Sequence, residues 1–424
     1  MIVVVGAGIT GLALGHELRR LGAEHVVLEA SGRPGGVIHS ARVDGRVLEW
    51  GPQRTRLTRR IGELIGELGL EDEVITAPPG LELFVYRAGQ LHPVPFGPGA
   101  FLRSGVVGWP AKLRLLAEPF TAPADADESV ARYFTRKVGR EVYETLIAPL
   151  YGGLYASDPA DMVVGLSLAH VLREFGIRRS LLLPLLRRGG RIVPPAPLSF
   201  RDGLQALPDA LARALGGALR LETPVRGLEP GSGHGGWRVV LDEGTIDADH
   251  VVLTVPAPSA RDLLAGVAPA AAAALRRLHY NPLGVVHLDA DTPLRGLGFQ
   301  VAFTEPELAL RGVTYNDALF DRRNVYTAYL GGARRPGVVE LTDDALAVLA
   351  ADEFRRCTGY DAGVLAVARE WMPAWDASWR ALAGWELPPG LHVAANWWSR
   401  PGIPGRLVEA RRVAERLTPP RPSP

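Results

Sequence analysis

Cysteine is nearly absent from this chain of 424 residues: Cys357 stands alone, which excludes an internal disulfide and any cysteine-based metal cluster and fits a reducing compartment. Lysine is almost as scarce, Lys112 and Lys137 being the only ones, so arginine carries nearly all the basic charge. No sign of charge prevails. With 47 basic and 46 acidic side chains the net charge is +1, and no global field points to nucleic acid or an acidic partner. No apolar run reaches the roughly 20 residues that span a bilayer, and no basic leader with a cleavage site precedes the first strand. Neither secretion nor a membrane span is expected, no metal is expected, and the cytoplasm is the default location.

What the chain does have is apolar content, 47% hydrophobic residues, enough for a large core and two or three interleaved domains. One short apolar block between arginine pairs, residues 178–188, suits either burial in a helical subdomain or a peripheral contact with a membrane surface.

The first motif is local and dense. Ile2 to Val5 reads as a strand, Gly6, Gly8 and Gly11 form G-x-G-x-x-G, an amphipathic helix follows, and a second strand ends in Glu29. This is the whole context of a dinucleotide-binding βαβ unit. Gly6 permits the tight turn, Gly8 lets backbone approach a pyrophosphate, and Gly11 lets the helix pack on the strand, while the helix start offers unpaired N–H groups. Glu29 suits the ribose hydroxyls of the adenosine half and would repel a 2′-phosphate, which disfavours NADP. Beyond it come Arg33, Gly35-Gly36, a hairpin and Glu49-Trp50-Gly51-Pro52.

The fold class expected is α/β: a discontinuous Rossmann-like FAD-binding domain from residues 1–75, 195–262 and 366–418, a mixed-sheet substrate domain from 76–99 and 263–365, a helical insert at 100–194, and a flexible tail at 419–424. The run 83–95 alternates like a hairpin, and 264–365 gives an alanine-rich helix followed by strand-like runs that include "VTYNDAL". Near the end, residues 391–395 read as a strand, followed by Trp397, Trp398, a turn containing Pro401, Gly402 and Pro404, and a helix with Leu407, Ala410, Val413, Ala414 and Leu417 on one face.

The segment after Glu29 resembles the second fingerprint of the FAD-dependent amine oxidase superfamily, and other motifs narrow the resemblance. "LIAPLYGGLYASDPADM", "PLSFRDGLQALPDAL" and "GLHVAANWW" through "LVEARRVAE" are similar to segments of the oxygen-dependent protoporphyrinogen/coproporphyrinogen oxidase family. The resemblance implies non-covalent FAD, held by Gly6, Gly8, Ile9, Thr10, Gly11, Glu29, Ala30, Arg33, Gly35, Gly36, Val37, Gly51, Pro52, Val225, Asn396, Gly402 and Ile403. It also implies that the start of the last helix faces the pyrimidine end of the flavin ring, where its dipole stabilises negative charge by about 0.3 to 2 kcal/mol. Three positions depart from the family pattern: Leu83 stands where animal and plant members carry arginine, Trp379 replaces a frequent histidine, and Trp397 to Arg400 replace a glycine-rich turn.

The activity so implied is six-electron oxidation of a porphyrinogen, coproporphyrinogen III or protoporphyrinogen IX, to the porphyrin, with O2 as acceptor, in heme biosynthesis. Flavin carries the chemistry, so no catalytic side chain is named. Arg54 and Arg56 are the candidates for binding substrate propionates, and Tyr151, Gly153, Tyr315, Asn316 and Tyr329 for the pocket wall. A transient contact with ferrochelatase would fit the same reading. The alternatives are an amine oxidase, disfavoured because no lysine follows Lys137, a carotenoid desaturase-like enzyme, or an idle FAD- or porphyrin-binding protein.

Overall fold

The computed structural model describes residues 1–187, 195–231, 236–399 and 402–418. The chain divides into two compact units: Met1–Thr76 with Pro195–Leu278 and Ala381–Pro424, and Ala77–Pro194 with His279–Arg380.

In the first unit, short β-branched runs with no polar face build a sheet buried on both sides. Its five strands are all parallel, in the order Leu219–Arg220, His25–Leu28, Ile2–Val5, His250–Leu253, Leu391–Val393. Ile2 pairs with His25 on one side and His250 on the other. The first helix, Ile9–Arg20, links the first two strands and buries Leu12, Ala13, Leu14 and Leu18. The last helix, Ile403–Leu417, sends Leu407, Ala410, Val413 and Ala414 into the same core, which accounts for the apolar stripe read there. Segments far apart in sequence pair here: Pro197–Phe200 pairs with both Thr55–Arg56 and Val74–Thr76. An antiparallel ribbon, Val225–Pro230, Trp237–Leu241 and Thr245–Ala248, completes this unit.

The second unit is built on a mixed seven-stranded sheet. Its order is Gly363–Pro373, Tyr280–Asp289, Val325–Gly331, Leu310–Tyr315, Gly298–Val301, Leu83–Arg87, Gln90–Pro93, with only the Gly298–Val301/Leu83–Arg87 pair parallel. Because side chains alternate along a strand, each strand serves two surfaces. One face, with Val286, Leu288, Phe299, Val313, Tyr315, Tyr326, Ala328 and Leu330, is closed by Leu346, Ala350 and Phe354 of the helix Asp343–Thr358. The other face is covered at one end by helical residues, where Val85 and Ala302 pack with Tyr133, Phe134, Tyr143 and Tyr155.

The segment boundaries differ from the sequence reading in three places. The helix Pro269–Leu275 lies in the first unit, not the second. Gly363–Pro373 lies in the second unit, because it pairs along its whole length with Tyr280–Asp289. Residues 100–187 share a core with strands of the second unit and do not form a separate body. Within "VTYNDAL" the strand stops at Tyr315 and Asn316–Phe320 is a short helix. The tail at 419–424, Arg188, Arg400 and Pro401 lie outside the described residues.

Candidate functional site

The glycine motif makes a close-packed turn with one open side. A Cβ on Gly11 would lie 1.9 Å from the carbonyl oxygen of Gly6, so the first helix reaches the first strand only because that atom is missing. At Gly8 the opposite holds: a Cβ there would meet nothing within 4 Å. Gly8 is the N-cap of the Ile9–Arg20 helix, makes no side-chain cap, and has no acid in the following turn, so the first N–H groups and the positive end of the helix face this open side.

A second loop is clipped onto the first. The Gly35 N–H donates to the Ala7 carbonyl at 2.8 Å, Gly8 and Gly35 form a parallel bridge, and a Cβ on Gly36 would sit 3.2 Å from the Gly8 Cα. A Cβ on Gly51 would collide with the Val37 carbonyl oxygen, so the Gly51-Pro52 segment closes against the same loop. Val37 itself is exposed, as is Ala30. Glu29 accepts the Ala7 N–H at 2.7 Å through one oxygen and the Ser31 N–H and hydroxyl, at 3.0 and 2.8 Å, through the other. Its carboxylate is thus held at the glycine turn. Val225 follows two residues after Thr223, whose N–H donates to the Glu29 carbonyl at 2.8 Å.

Arg33 was expected to lie along a diphosphate. Its guanidinium donates to the carbonyls of Pro34, Gly36 and Ile38 and to the Gln205 amide oxygen, and so braces the Gly35-Gly36 loop. Thr254, which sequence reasoning missed, has its hydroxyl 2.9 Å from the Val5 carbonyl and 2.8 Å from that of Gly6, fixing the turn from the neighbouring strand. Only its place just after an apolar strand hinted at this.

The closing turn of the first unit is equally fixed. Trp397 is fully buried and donates its indole N–H to the Val255 carbonyl at 3.0 Å, with Trp385 packed edge-on at 5.7 Å. Asn396 is half-buried beside it. Arg406, in the first turn of the last helix, donates to the Ala395 carbonyl, and burial lowers its guanidinium pKa to about 10. Gly402 caps that helix with no side-chain bond and no acid in the first turn, so the Ile403 N–H at its start has no side-chain partner among the described residues. Sequence reasoning did not single out Arg406; an arginine on an otherwise apolar helix face was the available signal.

The proposed substrate residues divide between the units. Arg54 is half-buried, and Arg56 is exposed on the strand paired with Pro197–Phe200, both in the first unit. In the second unit, Tyr151 stacks on Tyr155 at 6.0 Å, and burial pushes its phenol pKa up. Gly153 lies against the side-chain amide of Gln300, and Tyr329 is half-buried on the sheet face away from the helix Asp343–Thr358. Tyr315 does not line a pocket. It is fully buried on the helix-covered face, edge-on to Phe299 and Tyr326. Asn316 is buried as well and donates to the Thr327 hydroxyl at 2.9 Å, so both are core residues. Trp379 is buried and stacks on Trp375 at 5.3 Å. Among the described residues no group of three or more His, Cys, Asp or Glu side chains could hold a metal ion.

A bare helix start, an open glycine, a carboxylate at the end of the second strand and a clipped second loop together fit an adenine dinucleotide. The model of the family described as flavin containing amine oxidoreductase matches residues 9–418. The chain belongs to this family. Among its curated relatives, the human protoporphyrinogen oxidase is 31% identical over 358 residues, 76% of this chain and 74% of its own length. The chloroplastic protoporphyrinogen oxidase of Nicotiana tabacum is 29% identical over 394 residues, 84% of this chain and 71% of its own. The chain falls with the protoporphyrinogen oxidase group of the family. Among solved structures, a candidate protoporphyrinogen oxidase from Exiguobacterium sp. 255-15 superposes with a TM-score of 0.80 at 23% identity, covering 98% of each chain. Cyclohexylamine oxidase from Brevibacterium oxydans IH-35A gives 0.71 at 17% identity, covering 98% of this chain and 99% of its own. At these identities the structural likeness shows the fold alone.

FAD is the cofactor. The single cysteine, Cys357, is unsuited to tether it: it is buried in the core of the second unit, where burial pushes its thiol pKa to about 12 and suppresses the nucleophilic thiolate.

Proposed function

We propose that this chain oxidises a porphyrinogen, coproporphyrinogen III or protoporphyrinogen IX, to the porphyrin with O2 as electron acceptor, as a step of heme biosynthesis. The observation that carries the reading is the match to protoporphyrinogen oxidases over 76% and 84% of the chain, on a scaffold whose glycine cradle fits a dinucleotide.

Bound FAD supplies the hydride acceptor and the onward route of the electrons to O2. The protein's part is to bind, orient and balance charge. Gly8 and the uncapped helix behind it receive the pyrophosphate, Glu29 accepts the adenosine ribose hydroxyls, and the Gly35 to Val37 loop with Gly51-Pro52 closes over the chain between them. The uncapped helix start at Ile403 supplies positive potential for a negative flavin edge, and the Arg406 brace keeps Asn396 in register with it. Arg54 and Arg56 are the cations offered to propionates, whose unpaired burial would cost several kcal/mol. Tyr151, Gly153 and Tyr329 remain as wall residues, while Tyr315 and Asn316 act only from behind the surface.

A cytoplasmic chain that meets a membrane surface and passes product to ferrochelatase completes the reading. The surface proposed for such a contact is Leu102, Trp109, Leu113, Leu116 and Phe120, each more than half exposed. Between residues 96 and 120 the only acid, Glu118, is buried against Lys137, and the charge presented to solvent there, Arg103, is basic.

The test is to measure turnover of both porphyrinogens aerobically, counting hydrogen peroxide released per porphyrin formed. Peroxide in proportion to porphyrin supports the reading, and the faster substrate names the pathway branch. Turnover of neither substrate by flavin-loaded protein contradicts it.

A further inference from the structure

Glu370, in the second unit, has no hydrogen-bond or ion-pair partner among the described residues. Glu370 stands in the strand Gly363–Pro373 opposite Leu283, and the alternation of the strand puts it on the same face as Ala368 and Met372. That stretch of the face is apolar: Ala156, Leu283 and Val285 are buried together, with Tyr329, Ala368 and Met372 packed against them. Glu370 is half-buried there and makes no hydrogen bond or ion pair with any of the described residues. Burial, with no neighbouring charge to oppose it, raises its pKa above the usual carboxylate value.

The fully buried carboxylates of this chain are all provided for. Glu17 pairs with Arg20 and Arg60, Glu49 accepts the Leu204 N–H, and Glu118 faces Lys137. Glu353 accepts the N–H groups of Ala309 and Leu310, and Glu409 pairs with Arg412. A half-buried acid in apolar surroundings with no protein donor has only water to bond to, so a ligand that covered this face would have to supply a donor in its place.

Resting on the porphyrinogen reading, we propose that Glu370 accepts a hydrogen bond from a pyrrole N–H of the bound tetrapyrrole. The ring is an apolar disc that suits Leu283, Val285, Met372 and Tyr329, and its N–H groups are the donors this surface lacks. When a meso C–H bond breaks, the hydrogen leaves with both bonding electrons to the flavin, and the positive charge left on the ring is shared with the flanking pyrrole nitrogens. Their N–H groups then become stronger donors. The bond to a carboxylate is therefore stronger in the transition state than in the ground state, and it acts on kcat more than on KM.

The experiment compares the flavin-loaded wild type with Glu370→Gln and Glu370→Leu. Steady-state kcat and KM are measured on both porphyrinogens, with flavin content and Tm recorded for each protein. Expected for Glu370→Gln is a kcat lower by about 10- to 100-fold, the range for a lost charge-assisted hydrogen bond, with KM changed little and flavin content and Tm as in the wild type. Glu370→Leu loses at least as much kcat while its Tm rises, because an unpaired acid has been removed from an apolar face. A kcat for Glu370→Gln equal to wild type overturns the proposal, and so does a loss of kcat that only tracks lost flavin or lowered Tm. If the wild type itself turns over neither porphyrinogen, the functional reading falls and takes the proposal with it, a result distinct from active wild type with an unaffected variant.

Discussion

The guanidinium of Arg406 donates to the carbonyl oxygen of Ala395, joining the first turn of the last helix to the strand end that leads into Asn396 and Trp397. Replacing it with methionine keeps the bulk but removes a charge-assisted hydrogen bond to a carbonyl that otherwise accepts only the N–H groups of Trp398 and Ser399, a loss of about 1 to 3 kcal/mol. Arg406→Met is expected to lower Tm and to weaken FAD binding together, since the same bond fixes the fold and the turn. Thermal unfolding at saturating FAD and a flavin titration of the apoprotein measure the two effects.

The two glycines of the first turn separate fold from cofactor. Gly11→Ala drives a Cβ into the backbone oxygen of Gly6, which cannot move aside, so the protein is expected to lose about 1 to 3 kcal/mol or more and to purify without flavin. At Gly8 a Cβ meets no protein atom and φ is an ordinary −64°, so Gly8→Ala should keep the Tm of the apoprotein while flavin affinity falls steeply. Equal Tm losses in the two variants would contradict the assignment of the open side to the pyrophosphate.

The cradle was legible in the sequence because its geometry is local: strand, glycine turn, helix and acid follow one another within residues 2–29, and each residue type has one physical use there. The same holds for the hairpin Leu83–Arg87/Gln90–Pro93. Long-range partners were not legible. The alternation in Leu310–Tyr315 gives two faces but not which one the helix Asp343–Thr358 covers, so Tyr315 was assigned to a pocket when it belongs to the core. Gly363–Pro373 reads as a strand from either unit, and only its register with Tyr280–Asp289 decides. Nor does anything in the neighbourhood of Arg33 show that Gln205 and three nearby carbonyls take its donors.

Two histidines, His287 fully buried and His392 half-buried, set an acid limit on stability. Burial lowers the pKa of both His287 and His392 from 6.5 to about 4, aided at His392 by His250, whose ring nitrogen lies 3.2 Å away. A folded pKa below the unfolded one means that the unfolded chain binds more protons. The stabilisation is therefore complete above about pH 6.5 and is lost as pH falls towards 4. Urea midpoints should drop across that window, and His392→Gln should flatten part of the slope. A wild-type midpoint unchanged over the same range would contradict this account of the two rings.

The exposed apolar residues between 102 and 120 predict binding to anionic vesicles. Co-sedimentation with vesicles containing phosphatidylglycerol should be clear for the wild type, weaker at high salt, and absent when Trp109, Leu113, Leu116 and Phe120 are all changed to serine. None of the four belongs to the buried core, so the variant should keep its flavin and its Tm. Equal sedimentation of wild type and variant would place the contact elsewhere or nowhere.

The central claim is that a tetrapyrrole reduces the flavin this chain holds. Rapid anaerobic mixing of the flavin-loaded protein with coproporphyrinogen III, and separately with protoporphyrinogen IX, tests it without dependence on the acceptor. The account predicts bleaching of the yellow flavin band with at least one of them, at a rate no slower than aerobic turnover, and return of the colour when O2 is admitted. A band that stays yellow while the tetrapyrrole is bound would contradict it and leave a protein that carries porphyrins without oxidising them.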